Sequence, residues 1–96
     1  MRRIKLTVAY DGTNYCGWQI QPNGITIEEI LNKKLSALTK EDIRVIGASR
    51  TDSGVHALGN VAVFDTESTI PPQRMALALN TKLPEDIVIV KSQEVT

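Results

Sequence analysis

The chain has 96 residues, which is enough for one small domain with a modest hydrophobic core. Eleven Lys and Arg side chains balance eleven Asp and Glu side chains, so no net charge draws the whole chain towards nucleic acid or a membrane surface. The single cysteine, Cys16, excludes a disulfide framework and favours a cytoplasmic location, and no apolar stretch is long enough to span a bilayer.

The first part of the chain predicts a strand, a loop and a helix. Residues 3–10 alternate between apolar and polar side chains, as is typical of a half-buried strand. Residues 11–24 contain Asp-Gly and Pro-Asn-Gly, which are turn signals. Thr26 is the predicted N-cap of a helix, because Glu29 follows it at capping-box spacing and an apolar stripe continues beyond.

The rest of the chain predicts three more strands and a second helix. Strands are expected over residues 43–48, 58–65 and 87–90, and a helix is expected from the Pro71-Pro72 pair to about residue 79. The order β-α-β-β-α-β is that of the ferredoxin-like α+β fold, in which an antiparallel sheet carries both helices on one face. We therefore predict a single domain over residues 1–96.

The face of the sheet without helices carries basic residues in this prediction. Arg3, Lys5 and Thr7 alternate with the apolar residues of the first strand, so this face is either an RNA-binding platform or an ordinary solvated surface. Standard RNA-recognition modules of this topology stack bases on exposed aromatic residues. Only Phe64 could serve in that way, so the chain is not predicted to be such a module.

The connection between the second and third predicted strands is longer than a tight hairpin needs. It reads Gly-Ala-Ser-Arg-Thr-Asp-Ser-Gly-Val-His-Ala from Gly47 to Ala57. It combines one carboxylate, Asp52, with one cation, Arg50, and a glycine, Gly54, that permits a sharp turn. Asp-Ser-Gly is also common turn chemistry, so these residues alone do not establish a site.

Residues 50–57, Arg-Thr-Asp-Ser-Gly-Val-His-Ala, resemble the signature of the tRNA pseudouridine synthase A family. The resemblance extends to Ala-Tyr-Asp-Gly-Thr at residues 9–13, to Tyr-Cys-Gly-Trp-Gln at 15–19, to the predicted first helix and to the strand over 58–64. It implies isomerisation of uridine to pseudouridine in the anticodon arm of tRNA, by a homodimer that needs no cofactor and no metal.

The resemblance also implies roles for individual residues. Asp52 matches the catalytic aspartate, which could attack C6 of the uracil or C1′ of the ribose, or act as a base at the sugar. Arg50 is expected to contact RNA and to fill the space left by the flipped nucleotide, while Thr51, Gly54 and His56 are expected to support the motif. Arg3 and Lys5 are further RNA-binding candidates.

Length complicates this prediction, because members of the family are more than twice as long and contain two related halves. The chain resembles the N-terminal half only. The cation that pairs with the aspartate and the tyrosine that stacks on the uracil are expected in the other half. We therefore expect the chain to carry the nucleophile, to fold, and to turn over poorly by itself.

Several residues and functions have a second interpretation. Trp18 is expected to pack beneath the motif in preference to touching RNA, and His56 is expected to brace the loop in preference to moving a proton.

A non-catalytic RNA-binding module remains an alternative function. A dimeric aspartic protease is disfavoured, because Arg50 would oppose the proton shared by two aspartates and a capped helix does not suit an all-β protease.

Overall fold

A computed structural model of the protein describes residues 1–18, 24–47 and 57–95. The helices are α1 (Ile27–Thr39) and α2 (Pro72–Asn80), and a short 3-10 helix covers Gly12–Asn14. The strands are β1 (Arg2–Tyr10), β2 (Ile46–Gly47), β3 (Ala57–Thr66) and β4 (Ile87–Val95). This order confirms the predicted succession of elements.

The strands form one antiparallel sheet in the order β2-β3-β1-β4. Alternate residues of β1 are buried against the helices, from Ile4 to Tyr10, and this face carries the core. The predicted ferredoxin-like α+β fold is therefore confirmed. Leu31, Leu35, Met75 and Leu79 supply the helical side of the core and are fully buried.

The start of α1 is held by the loop that precedes it. The Thr26 hydroxyl accepts the Glu29 N–H at 3.3 Å, as the N-cap prediction requires. The N–H groups of Ile27 and Glu28 donate to the carbonyl oxygens of Gly17 and Trp18 at 3.2 and 3.0 Å. These bonds satisfy donors that a helix leaves without partners in its first turn, and they fix the loop to the helix.

The extents of two predicted strands are wrong. β2 covers only Ile46–Gly47 within the described residues, although a strand was predicted from residue 43. The Ile43 and Val45 N–H groups donate to Ser36 Oγ at 2.9 Å and Asn32 Oδ1 at 2.8 Å, both on α1, so polar helix side chains replace a strand partner. β4 continues five residues beyond the predicted end, to Val95.

Arg2 holds the connection between β3 and α2. Its guanidinium donates to the Ser68 carbonyl and, at 2.8 Å, to the Ile70 carbonyl, and it lies 3.8 Å from the Glu94 carboxylate. Arg2 therefore closes a turn at the end of the two central strands, β1 and β3. Within the described residues no helix is both long and apolar enough to cross a membrane.

Glu41 makes the stability of the fold dependent on pH. Its carboxylate accepts hydrogen bonds from the Thr66 hydroxyl and, at 2.9 Å, from the Glu67 N–H. These bonds hold the pKa of Glu41 below its ordinary value. A carboxyl group with a lower pKa in the folded state stabilises the protein above its unfolded pKa, and the contribution disappears as the pH falls through the folded pKa.

We therefore expect Glu41→Gln to destabilise the protein near neutral pH and to change little in strong acid, below the lowered pKa that Glu41 has in the folded protein. Urea unfolding of the parent and the variant at both pH values measures the difference in free energy. An equal difference at both pH values would show that the charge of Glu41 plays no part.

Candidate active site

The segment that carries the predicted catalytic residue spans residues 48–56, and it lies outside the described residues. Five predicted site residues fall within it: Arg50, Thr51, Asp52, Gly54 and His56. The structure describes the residues on either side of this segment. Gly47 ends β2, where it pairs with Ala62, and Ala57 begins β3, where it pairs with Tyr10.

The pairing of Ala57 places the return of the segment at one end of the sheet. Tyr10 is the last residue of β1, so the segment returns to the sheet beside the end of that strand. The loop that follows β1 starts at the same end. Side chains of this loop are therefore the described residues best placed to support the segment.

Trp18 is the largest fully buried side chain of this loop. It is only 1% exposed, and its ring centroid lies 5.9 Å from that of Tyr10. A Cβ atom built on Gly47 would lie 2.8 Å from Cε2 of Trp18 and closer still to Nε1. A glycine is thus required at residue 47 because the indole occupies the space of a side chain. Trp18 is therefore buried against Gly47, and its expected packing beneath the motif itself falls on residues that lie outside the described ranges.

Asp86 fixes the loop that contains Trp18 to the turn before β4. The Tyr15 hydroxyl donates to Asp86 Oδ1 at 2.6 Å, and the Asp11 N–H donates to the Asp86 carbonyl at 2.9 Å. Burial of the phenol, together with this hydrogen bond, raises the pKa of Tyr15. Tyr15 is therefore a neutral donor at physiological pH. Sequence reasoning missed Asp86, because the partner of Tyr15 is 71 residues away and no local pattern marks it.

The open face of the sheet, opposite the helices, carries Arg3 and Lys5, as predicted. Arg3 is paired with Asp65 on β3 through two hydrogen bonds, Nε to Oδ1 at 2.9 Å and Nη2 to Oδ2 at 3.1 Å. The hydrogen bond from Arg3 holds the pKa of Asp65 below its ordinary value. Lys5 lies between Val63 and Gln93, neither of which is charged. Lys5 is therefore more available than Arg3 to bind an anionic ligand.

Lys91 is a basic residue of the open face that sequence reasoning missed. It pairs with Thr7 in the register of β1 and β4, diagonally across from Lys5, and it is exposed. It was overlooked because β4 was predicted to end at residue 90. Apolar side chains complete this part of the surface, since Ile46 is 61% exposed and Val88 is 45% exposed.

Among the residues that the structure describes, no aromatic side chain lies on the open face. Phe64, the one candidate for base stacking, is 1% exposed and pairs with Ile4 on the buried side of the sheet. The chain has three other aromatic residues, Tyr10, Tyr15 and Trp18, and all are buried.

Within the described ranges, no group of three His, Cys, Asp or Glu residues is arranged to hold a metal ion.

Comparison with known proteins agrees with the signature at residues 50–57. The family model described as tRNA pseudouridine synthase matches residues 6–96. A tRNA pseudouridine synthase A from Ruminiclostridium cellulolyticum is 57% identical over 95 residues, which cover 99% of this chain and 39% of that relative. The tRNA pseudouridine synthase A 2 of Clostridium perfringens is 55% identical, and the tRNA pseudouridine synthase A of Acetivibrio thermocellus is 56% identical, both with the same coverage.

The chain thus spans about two fifths of the length of the curated relatives that it matches, 39% in each of these three. The family match includes the predicted catalytic motif and every strand and helix described above, except the first four residues of β1. The chain belongs to the tRNA pseudouridine synthase family.

Proposed function

We propose that the chain is the N-terminal catalytic half of a tRNA pseudouridine synthase that acts on uridine in the anticodon arm. The observation that carries this proposal is the signature at residues 50–57, which lies within a family match over residues 6–96. The reaction breaks the bond between N1 of uracil and C1′ of ribose, and it forms a bond from C5 to C1′. The C5 hydrogen leaves as a proton, and no electron or group donor is consumed.

Asp52 is the proposed nucleophile, because an ionised carboxylate can attack an electron-poor carbon of the base or the sugar. The target nucleotide has to leave its stack before these atoms become accessible, at a cost of a few kcal/mol. Arg50 is proposed to contact RNA and to fill the vacated space. Thr51, Gly54 and His56 are proposed to support the conformation of the motif.

The rest of the active site is proposed to lie in the part of the relatives that this chain does not match. The complete enzyme is proposed to be a cytoplasmic homodimer that works without a cofactor. The four Phe, Tyr and Trp residues of the chain lie within the described ranges and are buried, so none of them offers an exposed ring to stack on the flipped uracil. This burial supports the proposal that a stacking residue comes from elsewhere.

The test is release of tritium from tRNA that carries 5-tritiated uridine, because formation of the C5 glycosidic bond expels that hydrogen. We expect the chain alone to release little or none. Clear release by the purified chain would contradict the proposal that its active site is incomplete. Tight RNA binding, with no release even in the presence of the missing part, would favour a non-catalytic RNA-binding module.

Lys5 is expected to contribute to RNA binding more than Arg3 does. Log affinity falls as log salt concentration rises, and each phosphate contact that is lost reduces the steepness of that fall by about one unit. We expect Lys5→Ala to produce such a decrease and Arg3→Ala to produce less, because Asp65 already neutralises Arg3. Titration of an anticodon-arm RNA hairpin at several salt concentrations measures the slopes.

Lys33→Ala is the matched control for Lys5→Ala. Lys33 lies on α1, on the other side of the sheet, its side chain is 70% exposed, and its 3.7 Å ion pair with Glu29 is a surface pair of the kind that contributes little. Removing it changes the net charge by the same amount without changing the open face. Equal losses for Lys5→Ala and Lys33→Ala would show that the effect is one of overall charge and that the open face is not the RNA surface.

A further inference from the structure

The ladder between β1 and β4 contains a β-bulge. Val8 pairs with Ile89, but its neighbour Thr7 pairs with Lys91, so Val90 is an extra residue in β4. Side chains of a strand alternate between the two faces of a sheet, and one extra residue reverses that alternation beyond the bulge. The bulge therefore turns Lys91 to the open face, whereas regular pairing would turn it towards the helices.

The burial of β4 agrees with this register. Ile89 and Ser92 are 2% and 6% exposed, and Val90 and Lys91, which lie between them, are both exposed. Ser92 Oγ accepts the Ala76 N–H at 2.9 Å, which fixes the strand beyond the bulge to α2. The core contacts of Ile89 and Ser92 therefore hold the backbone of Lys91 from both sides.

Lys91 lies beside Lys5 on the open face. Lys5 pairs with Gln93, and Thr7 pairs with Lys91, so these four residues form two neighbouring pairs across β1 and β4. Diagonal neighbours in such an arrangement are about 7–8 Å apart. Lysine side chains have long and flexible stems, so both ammonium groups can reach one small anion placed above Thr7 and Gln93.

The charge of these two lysines is not neutralised within the described part of the chain, where neither Lys5 nor Lys91 forms an ion pair. Arg3, on the same face, is paired with Asp65. The neighbour of Lys5 on β3 is Val63, which offers no charge. Like charges close together on a sheet repel each other. Two unpaired cations held side by side therefore indicate a binding site for an anion.

We propose that Lys5 and Lys91 together bind one phosphodiester group of the RNA substrate, and that Thr7 and Gln93 donate hydrogen bonds to its oxygen atoms. Phosphate groups are the main anions that RNA presents, and lysine binds phosphate as a compact point charge. Such a contact positions the RNA on the sheet without reading its sequence. The proposal rests on the proposed function for the identity of the anion, and it adds the edge strand β4 to the RNA surface.

A double-mutant cycle tests whether the two lysines share a phosphate. The chain, Lys5→Ala, Lys91→Ala and the double variant are titrated with an anticodon-arm RNA hairpin at one salt concentration. We expect each single substitution to lower the affinity about tenfold, as the loss of a charged hydrogen bond predicts. The double variant is expected to lose about tenfold as well, because a phosphate that needs both cations is already released in either single variant. A loss of about a hundredfold, the product of two independent effects, would overturn the proposal.

Lys33→Ala is the matched control for Lys91→Ala, because it removes the same charge from the other side of the sheet. We expect this control to bind the hairpin as the parent chain does. Equal losses for Lys33→Ala and Lys91→Ala would overturn the proposal, since overall charge would then explain both. Lack of measurable binding by the parent chain would overturn it too.

A hairpin of equal length and unrelated sequence separates phosphate contacts from base contacts. We expect Lys5→Ala and Lys91→Ala to lower the affinity for this hairpin by the same factors, because phosphate contacts are independent of sequence. Losses confined to the anticodon-arm hairpin would contradict a phosphate site. None of these titrations depends on turnover. Non-additive losses without tritium release in the presence of the missing part would contradict the proposed function alone, and additive losses with release would contradict the shared phosphate alone.

Discussion

Asp52→Asn is expected to lower isomerisation by about three orders of magnitude or more, because an amide cannot replace a carboxylate nucleophile. The measurement uses a chimera in which this chain replaces the matching 39% of the Ruminiclostridium cellulolyticum relative. Initial rates of tritium release are compared for the chimera and its Asp52→Asn variant. Affinity for tRNA is expected to change far less, since phosphate contacts dominate binding.

Asp42→Asn is the matched control for this substitution. Asp42 precedes β2, its side chain is 86% exposed, and it lies 4.0 Å from Arg44. The chemical change is identical, and a surface ion pair of this kind contributes little to stability. We expect the control to retain full activity. Comparable activity in the Asp52 variant would exclude Asp52 as the nucleophile.

Leu79→Ala is expected to destabilise the chain by about 2–5 kcal/mol, which is a large part of the total stability of a small domain. Leu79 lies on α2 and is fully buried in the core formed with β1 and α1. Its truncation removes apolar contacts and leaves a cavity that the sheet cannot fill. Urea unfolding followed by far-UV circular dichroism measures the loss of stability.

Leu77→Ala provides the control on the same helix. Leu77 is 70% exposed, and the same change of side chain there is expected to alter stability by no more than about 0.5 kcal/mol. Both substitutions raise helix propensity slightly and equally, so the difference between them reports burial. Similar losses for the two variants would mean that α2 does not pack on the sheet as described.

The fold could be predicted from the sequence because local patterns determine most of it. The alternation in β1 and the Thr26 cap are confirmed, and each depends on residues close together in the chain. The start of β2 could not be predicted from such patterns. Apolar alternation in residues 43–45 is typical of a strand, but Ser36 and Asn32 of α1 take the backbone donors instead. That competition depends on tertiary packing.

Less of the candidate site than of the fold could be predicted from the sequence. The signature predicts Asp52 as the catalytic residue, but the described residues around the ends of its segment are held by contacts between distant parts of the chain. The Tyr15–Asp86 hydrogen bond joins residues 71 apart, and the contact between Trp18 and Gly47 depends on the course of the loop after β1. The pairing of Arg3 with Asp65 likewise depends on strand register, which assigns Arg3 a different role from Lys5.

The most direct test of the account is tritium release by the unsubstituted chimera, measured beside the chain alone and the relative itself. If this chain is the catalytic half of a tRNA pseudouridine synthase, the chimera releases tritium from tRNA with 5-tritiated uridine at a rate comparable to that of the relative. The chain alone releases little or none. A folded chimera that binds tRNA but releases no tritium would contradict the account.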